Sequence, residues 1–160
     1  MAQKRTALGI DPGSQCGWAL MHEGPKLWAS GTWHLRTSGE AEGMGGLRLQ
    51  ARLERVFEMQ RPDLVAYEKV VKHGKFDGTR AAHIYGGLVM VLTTVCENYQ
   101  IPYSSFPVGT IKRFATGKGN ASKDMMVQYA NKRFNGDFGE DEADAIYIAA
   151  LALWHLRNGK

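Results

Sequence analysis

The chain has 160 residues, 44% hydrophobic and 22% charged, the balance of a soluble globular protein with a single core and therefore one domain. Lys and Arg outnumber Asp and Glu by 20 to 16, a net charge of +4 that suits a polyanionic partner. No apolar run is long enough to span a bilayer, and the two cysteines have neither metal-ligand spacing nor the makings of a disulfide framework. Residues 1–5 lead into a strand pattern rather than a signal-peptide apolar region, so membrane insertion and export are set aside and a cytoplasmic location is expected.

Residues 6–10 (Thr-Ala-Leu-Gly-Ile) read as a buried strand, stopped by the turn signal Asp11-Pro12-Gly13-Ser14. Residues 17–21 resume extended structure, Glu23-Gly24-Pro25 turns the chain, and 27–35 complete an antiparallel meander. A Gly/Glu-rich lead-in follows, and then the spacing of Leu49, Leu53, Val56 and Phe57 predicts a helix over 47–60, with Arg48, Arg52 and Arg55 on a solvated face. Arg61-Pro62-Asp63 ends it before a fourth strand at 64–68. The polar segment 69–79, with Lys72, His73, Lys75 and Phe76, is the most loop-like stretch.

Residues 81–99 predict a helix whose internal Gly86-Gly87 pair suggests close packing or partial disruption, and 101–106 a short fifth strand closed by Pro107. A helix at 108–115 precedes the basic glycine loop Thr116-Gly117-Lys118-Gly119-Asn120. Ser122 is placed to cap a helix over 123–134, and a last apolar helix over 141–157 carries acids at its positive end. Trp18, Trp28, Trp33 and Trp154 are expected in the core. The strand and helix order is βββαβαβααα, a meander followed by β/α units, with no internal repeat. That order describes an α/β protein with a central five-stranded mixed sheet flanked by helices.

Four carboxylates stand where such a fold can gather them. Asp11 and Glu68 each close an apolar strand pattern, while Asp141 and Asp144, three apart, share one face of a helix's first turn. Singly, each has a plainer reading as a turn residue, a solvated strand end or a helix-dipole partner. Jointly they form a donor set of hard oxygens suited to Mg²⁺. Two such ions roughly 3.5–4 Å apart can activate water and stabilise the leaving oxygen of a phosphodiester. Asp11 is the candidate bridging ligand. Glu142, on another helix face, and Glu140, placed before the helix, read as satellites. Lys112, Arg113, Lys118 and Lys123 flank the acids and can hold phosphates.

The segments Gly9-Ile10-Asp11-Pro12-Gly13-Ser14 with Gly17-Trp18-Ala19, Tyr67-Glu68-Lys69-Val70, Val108-Gly109-Thr110-Ile111-Lys112, Gly117-Lys118-Gly119-Asn120-Ala121-Ser122-Lys123 and Asp141-Glu142-Ala143-Asp144-Ala145 resemble, in order, the RuvC family of Holliday junction resolvases. The resemblance implies an RNase H-like fold, dependence on Mg²⁺ with Mn²⁺ as a substitute, and a homodimer that nicks two opposed strands of a four-way DNA junction. It puts Asp11, Glu68, Asp141 and Asp144 on the family's acidic positions, and Lys112 and Lys123 on its DNA-contacting and catalytically supportive lysines. Lys72 and Lys75 are further candidate DNA contacts, and the helix over 81–99 a candidate dimer interface.

The pattern departs from bacterial members at Val71, where an aromatic wedge is expected; Phe76 could supply the wedge from a shifted position. The divergent loop is similar to that of phage or prophage relatives, some of which take a range of branched DNA. Two other readings stay open. Asp-Pro-Gly-Ser after a strand also resembles the phosphate-binding start of actin-like ATPases and sugar kinases, which normally need two such lobes. A catalytically inactive nucleic-acid-binding module would keep the same fold, against which stands the retention of all four repelling acids.

Overall fold

The computed structural model describes residues 3–24, 26–71 and 78–159. Its elements run β1 (Thr6–Asp11), β2 (Gln15–His22), β3 (Lys26–His34), α1 (Gly43–Met59), β4 (Leu64–Lys69), α2 (Gly78–Asn98), β5 (Tyr103–Pro107), α3 (Val108–Thr116), α4 (Lys123–Phe134) and α5 (Glu140–Asn158), the order that the sequence predicts. The strands form one mixed sheet in the order β3-β2-β1-β4-β5. The meander β1–β2–β3 is antiparallel, whereas β4 lies parallel to both β1 and β5.

Alternation along the two central strands sorts their side chains between two helical layers. Leu8 and Ile10 of β1 and Val65 of β4 pack with Leu49, Leu53 and Phe57 of α1 and with Leu88, Leu92 and Val95 of α2. Ala7 of β1 and Leu64 and Ala66 of β4 face the other way, onto α5. Small and β-branched residues suit that pleated surface, and the face under α5 is notably small. Helix α5 is itself buried from Ala145 to Leu153, because the sheet covers one side of it and α3 and α4 cover another. An apolar all-round helix needs such a two-sided burial.

Several boundaries differ from the sequence expectation. Helix α1 begins at Gly43 rather than 47, so its first turn includes Gly43, Gly45 and Gly46 despite their low propensity; the buried Gly45 lies against the Arg36 side chain, a close approach that a larger residue would block. Strand β5 begins at Tyr103, and Ile101 instead donates its amide to the carbonyl of Cys96 at 2.9 Å, closing the turn after α2. Glu140 is the first residue of α5, not a residue before it, since Gly139 takes the N-cap position. The Ser122 cap is present, its hydroxyl accepting the amide of Met125 at 3.2 Å.

The tryptophans divide. Trp33 is buried and stacks on Trp18 with ring centroids 5.2 Å apart. Trp28 and Trp154, expected in the core, are 53% and 42% exposed. The physical reason at Trp28 is a register shift on the edge strand: Leu20 pairs with Ala29 and Met21 with Leu27, leaving Trp28 unpaired and turned out beside His22.

Candidate active site

Two parallel strands deliver the first pair of acids. Ile10 sits opposite Tyr67 in the β1–β4 ladder, so Asp11 and Glu68, each one residue further on, leave the same end of the sheet side by side. By alternation they share the face of Gly9 and Ala66, which is the face under α5. The second pair comes from α5, whose first turn carries Asp141 and, one turn on, Asp144.

Two glycines set how near these pairs come. A Cβ on Gly17 would overlap the main chain of Asp141, and one on Gly9 would overlap the Ala145 carbonyl and lie 2.5 Å from the Ala149 amide. Only a bare backbone at both positions lets α5 settle onto β1 and β2. Sequence reasoning found Gly9 and Gly17 as parts of motifs but missed this role; the signal was their place in otherwise side-chain-rich strands.

The four acids line one cleft of about 250 Å³. Lys112 from α3, Lys123 from the first position of α4 and Glu140 line it too, over an apolar floor of Val108, Ile111, Met126 and Ile148. Confinement makes the carboxyls poor acids. Burial, and then the charges of Glu68, Asp144 and Asp141, hold Asp11 well above the usual carboxylate range. Glu68 is raised by burial, opposed by its hydrogen bond with Asp11 and by the nearby Lys112 and Lys123 ammonium groups. Asp144 is pushed up to about 7 by burial and by Glu68 and Asp141, again against the pull of the two lysines. Asp141 is raised by burial, with Lys123 opposing. A cation held among these carboxyls would favour their ionised forms.

Among the described residues the lining donors are hard carboxylate oxygens, the donor type that hard divalent cations take. Among the described residues no three ligating side chains already stand in a closed cation-binding array. The acids line a shared cleft instead.

The expected basic residues separate. Lys112 and Lys123 reach the acids. Arg113 does not line the cleft: its guanidinium lies over Gly119, so close that a Cβ there would be 2.9 Å from Nη2. Lys118 is an exposed residue of the turn after α3, its amide bonded to the Thr116 hydroxyl at 3.2 Å, and it too lies outside the cleft lining. Lys72, His73, Lys75 and Phe76 lie outside the described residues. Val71 is 73% exposed just beyond β4. Glu140, read as a satellite, is a lining residue and an ion-pair partner of Lys123 at 3.5 Å. Glu142 accepts the Ser30 hydroxyl at 2.6 Å, which ties α5 to β3. Arg48 serves the fold, paired with Glu40 at 2.6 Å and donating to the Leu35 carbonyl at 2.9 Å.

A mixed five-stranded sheet with acids at the ends of adjacent parallel strands, answered by acids on a crossing helix, defines an RNase H-like protein with an acidic, lysine-flanked cleft. The comparisons agree. The crossover junction endodeoxyribonuclease RuvC of Nitratidesulfovibrio vulgaris is 31% identical, covering 98% of this chain and 93% of its own. That of Anaeromyxobacter sp. is 32% identical over 94% of this chain and 72% of its own. The structure of Thermus thermophilus RuvC in complex with Holliday junction substrate superposes with a TM-score of 0.80 at 20% identity, covering 97% of this chain and 96% of that one. No family model matches the chain. This chain belongs to the RuvC family of crossover junction endodeoxyribonucleases.

Proposed function

We propose that this protein resolves Holliday junctions, hydrolysing one phosphodiester in each of two opposed strands, with Asp11, Glu68, Asp141 and Asp144 as ligands for divalent cations. The observation that carries this is the convergence of those four acids and two lysines on one cleft in a chain of the RuvC family. Asp11, whose carboxyl feels the charges of Glu68, Asp144 and Asp141 alike, would be the ligand best placed to serve two ions. Mg²⁺ is the expected ion, with Mn²⁺ as a substitute; when bound, a pair of such ions supplies a water nucleophile and neutralises charge on the leaving oxygen.

The chain's own part is placement and charge. Strand ends hold Asp11 and Glu68, and the α5 N-terminus presents Asp141 and Asp144, so the ligand geometry is set before substrate arrives. Lys112 and Lys123 offer cationic contacts to the scissile phosphate and its neighbour, and Lys123 can leave its exposed pairing with Glu140 to do so. Arg113, Lys118, Lys72 and Lys75 are assigned to more distant backbone phosphates, contacts that add affinity without touching the reaction.

Cutting two strands symmetrically requires two clefts, and we assign the chain to a homodimer joined through α2, whose outer face exposes Met90 at 67%. We assign the protein to the cytoplasm on the ground of its DNA substrate. The test is a labelled four-way junction and a matched linear duplex, incubated with protein and Mg²⁺ or EDTA. Paired nicks in the junction alone, in Mg²⁺ alone, are expected. Asp11→Asn should abolish cutting while junction affinity stays within about threefold, because phosphate contacts supply most binding. Cutting by Asp11→Asn at the wild-type rate would remove the site assignment, and junction binding without any cutting by the wild type would leave a binding module.

A further inference from the structure

Tyr85 of α2 approaches the catalytic end of β4 from the side opposite α5. Its hydroxyl donates to the main-chain carbonyl of Glu68 at 2.7 Å and accepts the amide of Val70 at 3.2 Å. These two groups flank Lys69, the last residue of β4. The β1–β4 ladder stops at the Ile10–Tyr67 pair, one residue before Glu68, so the main chain that carries this carboxylate is paired on its β5 side, Glu68 with Phe106, and has lost its β1 neighbour. A hydroxyl is a fitting substitute, because one oxygen can both donate to a carbonyl and accept from an amide.

We infer that Tyr85 is a positioning residue for Glu68, pinning the main chain on one face of the sheet so that the side chain is held into the acidic cleft on the other. The inference rests on the reading of Glu68 as a cation ligand. It acts through Glu68 and touches neither cation nor DNA. The Tyr85 hydroxyl also ties the cleft to α2, the helix assigned above to the dimer interface.

Tyr85→Phe keeps the ring and deletes only that oxygen. Three measurements on the full chain read the result: hydrogen exchange of the Val70 amide, Mn²⁺ affinity by calorimetry without DNA, and kcat with Kd on a four-way junction. Exchange at Val70 should quicken at least about tenfold, Mn²⁺ binding should weaken about tenfold, and kcat should fall about tenfold while junction Kd stays within about twofold, the pattern of a displaced ligand. Tyr99→Phe, which removes a hydroxyl bonded to Glu58 away from the cleft, is the control and should change none of these.

Val70 protection and Mn²⁺ affinity at wild-type values would overturn the inference. So would equal losses in junction affinity, kcat and melting temperature, which mark a general loosening. If the wild type leaves junctions uncut, the nuclease reading fails, yet the exchange and Mn²⁺ comparison still decides on Tyr85.

Discussion

Replacing Asp144 with Asn separates the cost of assembling the acids from their use. In the structure burial, and then the charges of Glu68 and Asp141, carry the Asp144 carboxyl from 3.8 to about 7. A rise of about 3 units at 1.36 kcal/mol each amounts to about 4 kcal/mol of disfavoured ionisation. The sign follows from which state holds the proton more tightly. Between about pH 4 and 7 the folded protein keeps a proton that the unfolded chain has lost, so stability declines as pH rises across that window. Below it there is no penalty; above it the penalty is complete. That penalty already includes the pull of the two lysines, and water entering the open cleft should reduce what is measured to about 2 kcal/mol.

Urea unfolding of wild type and Asp144→Asn, in EDTA from pH 4 to pH 8.5, measures the difference directly. The two proteins should be equally stable at pH 4, and the variant should be the more stable by about 2 kcal/mol at pH 8. Mn²⁺ at a hundred times its Kd should then stabilise the wild type by about 2.7 kcal/mol and the variant far less, reversing the order. The variant should also be inactive. An Asn variant less stable than wild type at pH 8 in EDTA would refute the claim that the carboxyl is held there against its own ionisation.

Gly17→Ala should destabilise the protein by about 2–3 kcal/mol in the same unfolding assay, because the new Cβ meets the Asp141 main chain and not a yielding side-chain tip; a change under about 0.5 kcal/mol would mean that α5 is free to lift. Lys123→Ala should slow junction cutting about tenfold with at most a threefold loss of affinity, measured by single-turnover cutting and gel shift. Arg113→Ala should alter the cutting step less than about twofold, since its guanidinium is folded over Gly119.

Much of this protein is legible in one dimension because its strong signals are local. Alternation and apolar spacing mark every element, since burial of one face is a property of neighbours in the chain. Turn chemistry marks the ends of β1 and β4, and with them Asp11 and Glu68. The pair Asp141 and Asp144 follows from helical spacing alone. Ends of elements were less legible. Gly43–Gly46 join α1 because the helix packs against Arg36 and Leu35, a contact that no propensity encodes, and Glu140 enters α5 because Gly139 takes the cap.

What the sequence by itself determined is the inventory: an α/β chain, four acids on strand ends and a helix start, and the ordered motifs of the RuvC family. Tertiary structure alone decided which charges meet. It set Lys112 and Lys123 on the acids and turned Arg113 away, though Lys112 and Arg113 are adjacent in sequence, because consecutive helical residues point about 100° apart. It made Glu140 a lining residue, and it brought Tyr85 under Glu68 from the opposite layer. Such contacts join residues far apart in the chain or on different faces of one helix, and their distances depend on how closely two layers approach. Here that approach is set by the missing side chains of Gly9 and Gly17, which let α5 rest on the sheet with its acids at the strand ends.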